Sequence, residues 1–122
     1  MAEITIDEVG LGTIAKYKLT AETSGVNLQS AKSWVFRVTG NNVTGDTGYV
    51  EIASGDDNVI SQSDGSYIVY IDTSETGIGT LKGRVSMDIE DTDYIKPNSN
   101  EGDEDRNIRT EVSLAFDVLK VS

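Results

Sequence analysis

Apolar side chains recur at every second position along most of this chain, a period that admits strands and argues against a helical bundle. Ile4 and Ile6 alternate with polar neighbours, and Tyr17 and Leu19 sit between Lys16, Lys18 and Thr20. Trp34, Phe36 and Val38 share one face of 33–39, with Arg37 on the other, and Val50 and Ile52 flank Glu51. Leu81, Val85, Met87 and Ile89 alternate with Lys82, Arg84, Ser86 and Asp88. The longest single-faced run is Ile108, Thr110, Val112, Leu114, Phe116 and Val118, which predicts a deeply buried Phe116. Segment 66–72 differs from the rest. It is apolar on both faces, with Tyr67, Val69 and Ile71 on one and Ile68 and Tyr70 on the other.

Composition agrees with the periodicity. Val and Ile number 23 and Thr adds 12, against six Leu and six Ala. Branching at Cβ restricts χ1 in a helix and packs well on a pleated surface. The expected fold class is all-β: an immunoglobulin-like sandwich of seven to eight short antiparallel strands, with 1–122 as one domain. Turn signals separate the strands at 39–42, at 54–57 and at Asp64-Gly65, the best hairpin candidate. Asp72 and Gly77 read as the two caps of one short helical turn, and 27–33 as a second helical segment. Residues 94–107 hold Pro97, three asparagines and four acidic residues, with almost nothing to bury. They read as a long exposed loop with little to order it.

Cysteine and histidine are both absent, which removes disulfides, cysteine nucleophiles and every catalytic triad that needs an imidazole. Net charge is −11, which disfavours nucleic acid and anionic membranes as partners. No catalytic residue and no cofactor are expected. For metals, the weak candidates are Asp91, Asp93, Asp103 and Asp105, hard oxygen ligands of the kind calcium takes. The segment starting at Asp103 departs from a calcium loop, with Ile108 where glycine is needed and Leu114 where a bidentate glutamate is needed. Gly77-Ile78-Gly79 opens a strand pattern and not a helix, so it makes no phosphate cradle. Trp34 alternates in register with core residues and reads as core, while Tyr49 and Tyr94 lie near turns. Asn42-Val43-Thr44 matches a glycosylation sequon. The start of the chain shows no basic-then-apolar leader, so synthesis in the cytoplasm is expected.

Residues 65–73, then Gly77-Ile78-Gly79-Thr80-Leu81-Lys82-Gly83-Arg84-Val85, Ile89-Glu90-Asp91-Thr92-Asp93-Tyr94 and Arg109-Thr110-Glu111-Val112 carry a likeness. Together they resemble small immunoglobulin-like virion proteins of bacteriophages and of prophages of gut bacteria. More distantly, they resemble the N-terminal domain of phage baseplate upper proteins. The likeness spans 65–114, and this sequence departs from it by inserting the acidic stretch 95–107. It implies a non-enzymatic tail, baseplate or head-fibre component and transfers no site residues. A ligand-binding sandwich for calcium or carbohydrate is the alternative. The two-faced strand supplies the interface candidates: Ile68 and Tyr70, with Leu119 and Val121 on the corresponding face of the C-terminal strand. They point to protein partners, either a second copy or another virion protein.

Overall fold

The computed structural model describes residues 6–23, 25–41 and 47–122. Ile4 and the Asn42-Val43-Thr44 sequon lie outside the described residues. Along the chain come β1 (Glu8–Val9), β2 (Ile14–Leu19), β3 (Glu22–Thr23), β4 (Val26–Asn27), β5 (Ser33–Asn41) and β6 (Thr47–Ala53). These are followed by β7 (Ile60–Ser61), β8 (Tyr67–Asp72), α1 (Thr73–Thr76), β9 (Ile78–Glu90), β10 (Ile108–Val112) and β11 (Phe116–Val121). The chain is therefore all-β. The large sheet runs β1-β11-β9-β5-β6, with β10 also on β9; a small sheet runs β2-β8-β7; β3 and β4 form a separate pair. Eleven strands stand among the described residues, four of them only two residues long, so the expectation of seven or eight is corrected upward. The expectation of antiparallel pairing throughout also fails, because β1 pairs β11 in parallel.

The core lies between the large and small sheets. Trp34, Phe36 and Val38 of β5 and Leu81, Val85, Met87 and Ile89 of β9 face Ala15 and Leu19 of β2 and Val69 and Ile71 of β8. Aromatic rings bridge the gap: Tyr17 stacks on Phe36 at 5.9 Å, and Tyr67 meets Trp34 edge-on at 5.1 Å. At the centre of β9, Gly83 sits under the stacked rings of Phe36 and Phe116, whose centroids are 6.0 Å apart. A Cβ there would stand 2.7 Å from Phe36 and 2.6 Å from Val118. The glycine is a close-approach position.

The helical turn forms as its caps predict. Asp72 accepts the Ser74 N–H at 3.0 Å, and the Gly77 N–H closes on the Thr73 carbonyl at 2.9 Å. This turn carries the chain from the small sheet to the large one. Its Thr73 is buried, with Oγ1 accepting from the Gly12 N–H and donating to the Thr13 carbonyl. Gly40 and Gly48, paired across β5 and β6, leave room for the carbonyls of Glu75 and Thr76. The Asp64-Gly65 hairpin forms as well, with Gly65 at φ +91° and Asp64 accepting from Ser66. Segment 27–33 is not helical. It is a turn in which Asn27 and Ser30 bond each other, and it drops Leu28 into the core. At 39–42 the expected turn starts too early, because β5 continues through Asn41.

The predicted single-faced run 108–118 is broken by a bulge. Val112 pairs Ser86 while Phe116 pairs Gly83, so three residues on one strand oppose two on the other. The extra residue exchanges inside for outside along β10. Arg109 and Glu111 then stand on the core side opposite Ile89 and Met87, and Val112 turns outward. Ser113 fills the gap in the ladder, donating to the Val85 carbonyl and accepting the Val85 N–H on its hydroxyl. Leu114, in the bulge, is 88% exposed, and Phe116 is half-buried where deep burial was expected.

Candidate interaction surfaces

Among the described residues no group of three or more Asp or Glu side chains is placed to hold a metal ion. The calcium candidates are engaged separately. Asp91 binds the Arg109 guanidinium at 2.7 Å, Asp105 binds Lys96 at 2.5 Å, and Asp103 accepts the Asn100 backbone N–H. Asp93 is exposed, its backbone N–H bonded to Asp91. The Arg109 guanidinium holds the Asp91 carboxyl below the usual carboxylate range, and Lys96 does the same for Asp105. Asp64 is pushed down further, first by Lys18 and then by the Ser66 hydroxyl and N–H.

The loop is also better tied than its composition suggests. Asp91 and Asn107 bond across its neck, Lys96 and Arg106 bond higher up, and the Asn107 amide donates to the Tyr94 carbonyl. A polar segment can order itself this way, because backbone groups and Asx-type side chains satisfy one another without an apolar core.

The carbohydrate alternative needs exposed aromatics on one face, and the tyrosines do not share one. Trp34 is buried in the core, as the alternation predicts, and its Nε1 has no hydrogen-bond partner among the described residues. Tyr49 is exposed on the outside of the large sheet, Tyr70 on the outside of the small one, and Tyr94 is half-buried. Two shallow clefts of about 390 Å³ each flank Thr20, Ala21 and Glu22, one toward Asp64 and the other toward Phe116. Glu22 and Asp64 are the titratable residues lining the first, and Glu22 is the one lining the second.

What the molecule does present is two unlike outer faces. On the small sheet, Ile68 stands between Lys18 and Ile60, and Tyr70 stands beside Lys16. Ile14 is 65% exposed, Ile60 49% and Tyr70 37%, whereas Ile68 is half-buried. The short helix α1 packs on β5 and β6, and Leu28 of segment 27–33 turns inward. The other two interface candidates are corrected. Leu119 and Val121 are buried in the chain's own core, because a second register shift between Asp117 and Lys120 lets Val118, Leu119 and Val121 all turn inward.

The outer face of the large sheet went unnoticed in the sequence. Its rows, read across β6, β5 and β9, are Ala53–Val35–Ser86, Glu51–Arg37–Arg84 and Tyr49–Thr39–Lys82. Val112 extends the first row from β10, and Asp117 extends the third from β11. Seeing that two arginines meet requires knowing that β5 pairs β9, which no local pattern reveals. A scan against protein-family models finds no match for this chain, and searches of curated proteins and solved structures find none either.

Proposed function

We propose that this chain is a non-enzymatic structural module, an immunoglobulin-like sandwich that works by surface contact within a larger particle, with a phage or prophage virion as its setting. The observation that carries the reading is the uncovered apolar face of the small sheet, where Ile14, Ile60 and Tyr70 meet water beside Ile68. Such a face gains nothing in isolation and gains burial on association. The likeness of 65–114 to virion proteins supports the setting. Two of the four calcium candidates, Asp91 and Asp105, are taken up by separate ion pairs, which supports contact over ion binding.

Light scattering on the purified chain tests the proposal. The expected result is a dimer or larger, shifted toward monomer by Tyr70→Lys with the fold intact. A clean monomer at high concentration overturns self-association through this face. A rise in melting temperature on adding calcium overturns the reading in favour of the ligand-binding alternative.

A further inference from the structure

The outer face of the large sheet has a feature that folding alone leaves unexplained. Arg37 on β5 and Arg84 on β9 are directly opposite in register. Like charges at opposed positions of a strand pair destabilise it. Arg37 finds relief, lying 4.3 Å over the Tyr49 ring and 3.8 Å from Glu51. Arg84 has no ion-pair or hydrogen-bond partner among the described residues. Lys82, beside Thr39 in the next row, shares its ammonium with Asp117. Shallow grooves of about 350 and 300 Å³ run along either side of the arginine row, one toward Val35 and Val112, the other toward Lys82 and Ala115. Val112, 51% exposed, adds an apolar margin.

The complement to this surface is in the same sequence. Glu101, Asp103 and Glu104 are exposed at the far end of the loop, and no ion pair engages them among the described residues. The bonds across the neck hold the two limbs of the loop together. The loop leaves the large sheet at Glu90, six residues from Arg84, or roughly 20 Å at strand rise. Within one molecule its carboxylates leave Arg84 unpaired.

We propose that the Arg37–Arg84 row binds the carboxylates Glu101, Asp103 and Glu104 of a second copy of this chain. The inference rests on the contact-module reading above but uses the opposite sheet. Guanidinium forks match carboxylates in a two-point geometry, and stacking on Tyr49 already orients one of them. The contact joins two different patches, so it propagates head to tail until it closes into a ring or continues as a filament. Each copy carries a net charge of −11, so the copies repel at long range. Screening at physiological salt shortens that repulsion to about 8 Å, and the contact within the groove survives it. Association is therefore strongest at intermediate ionic strength, weakened below by repulsion and above by screening of the pairs.

The test is a titration of the isotope-labelled full chain with a synthetic peptide of residues 98–107, followed by NMR at roughly physiological salt. The expected result is saturable shifts at the amides of Val35, Arg37, Arg84, Ser86 and Val112. They vanish when Glu101, Asp103, Glu104 and Asp105 in the peptide are replaced by their amides. They vanish also in Arg37→Gln and Arg84→Gln chains that keep folded spectra. No shift at millimolar peptide, or shifts confined to Ile14, Ile60, Ile68 and Tyr70, overturns the inference. Carbodiimide crosslinking of mixed light and heavy copies checks the intact chain, with Lys82 joined to Glu101 or Glu104 of another copy expected. Repeating the titration on Tyr70→Lys separates the two ideas. Groove shifts in a chain whose oligomeric state Tyr70→Lys leaves unchanged sustain this inference while sinking association through the small sheet. Oligomers indifferent to the arginine substitutions, with no peptide shifts, do the reverse.

Discussion

The two faces of β5 and β9 are built on opposite principles. Inward, Trp34, Phe36, Val85 and Met87 interlock so closely that Gly83 has no room for a methyl group. Outward, the same pair of strands sets Arg37 against Arg84 and leaves one of them without a partner among the described residues. Strand pairing forces both arrangements at once, because fixing which residues meet inside fixes their neighbours outside. The inner face shows what the fold requires. The outer face shows what it tolerates, and a tolerated cost is where a contact function has room to act.

The sharpest way to break this contrast is to empty the inner face. Phe36 is fully buried between Tyr17 and Phe116. Phe36→Ala removes a ring at the junction of both sheets, and a loss of about 3–5 kcal/mol is expected in denaturant melts. A loss near 1 kcal/mol would mean that the two sheets close over the gap and that the inner face is not tightly fitted.

Overfilling the same place should cost less. Gly83→Ala puts a methyl group 2.6 Å from Val118 and 2.7 Å from Phe36, with Phe116 at 3.2 Å. Backbone and rings must shift, at about 1–3 kcal/mol. Phe116 is half-buried and can move outward, which places the expected cost below that of Phe36→Ala. A neutral substitution would show that the stack is loose and weaken the comparison.

How much of this could be read from the residues follows the range of each interaction. Period-two alternation gave Trp34, Phe36 and Val38 their inward face, and local capping chemistry gave the Asp72–Gly77 turn and the Asp64-Gly65 hairpin. Each depends on neighbours within a few positions. The bulge at 113–115 does not, since Ser113 is held by Val85, 28 residues earlier. Its displaced register exposed Leu114, and the second offset after Asp117 buried Leu119 and Val121, against expectation. The parallel β1–β11 pairing and the meeting of Arg37 with Arg84 are likewise long-range facts. The outward facing of Ile68 and Tyr70 was legible because both faces of their strand are written in one short segment.

Titration separates the inner face from the surface more gently. Burial raises the Tyr17 phenol above its ordinary 10.0. The folded chain then keeps a proton that the unfolded chain releases, so this stabilisation is complete below pH 10 and is lost as pH rises through the folded value. Asp64, Asp91 and Asp105 shift the other way, each held below 3.8 chiefly by a hydrogen bond from Lys18, Arg109 and Lys96 respectively. Their contribution is present above pH 3.8 and fades as pH falls through the folded values. Asp64 and Asp105 are exposed and Asp91 is half-buried but still in contact with solvent, so screening keeps the acid effect small. Thermal melts across pH should therefore fall off at the alkaline end, and Tyr17→Phe should flatten that limb. An alkaline limb unchanged in Tyr17→Phe would refute the assignment to the core.

The smallest expected effect has the opposite sign. Arg84→Thr places a β-branched residue at an exposed strand position and removes the like-charge opposition to Arg37. The expected outcome is a gain of about 0.2–1 kcal/mol, the range of a cross-strand pair. One term opposes it, since removing a cation makes a chain already at −11 more negative. That term is spread over the whole surface and shrinks with salt, whereas the Arg37–Arg84 contact is local. The gain should therefore grow between low and physiological ionic strength before screening erodes it. The matching change at Arg37 should not stabilise, because Arg37→Thr also gives up the Tyr49 ring and Glu51. If Arg84→Thr destabilises the chain at every salt concentration, the two arginines support each other by stacking, and the outer face serves the fold after all.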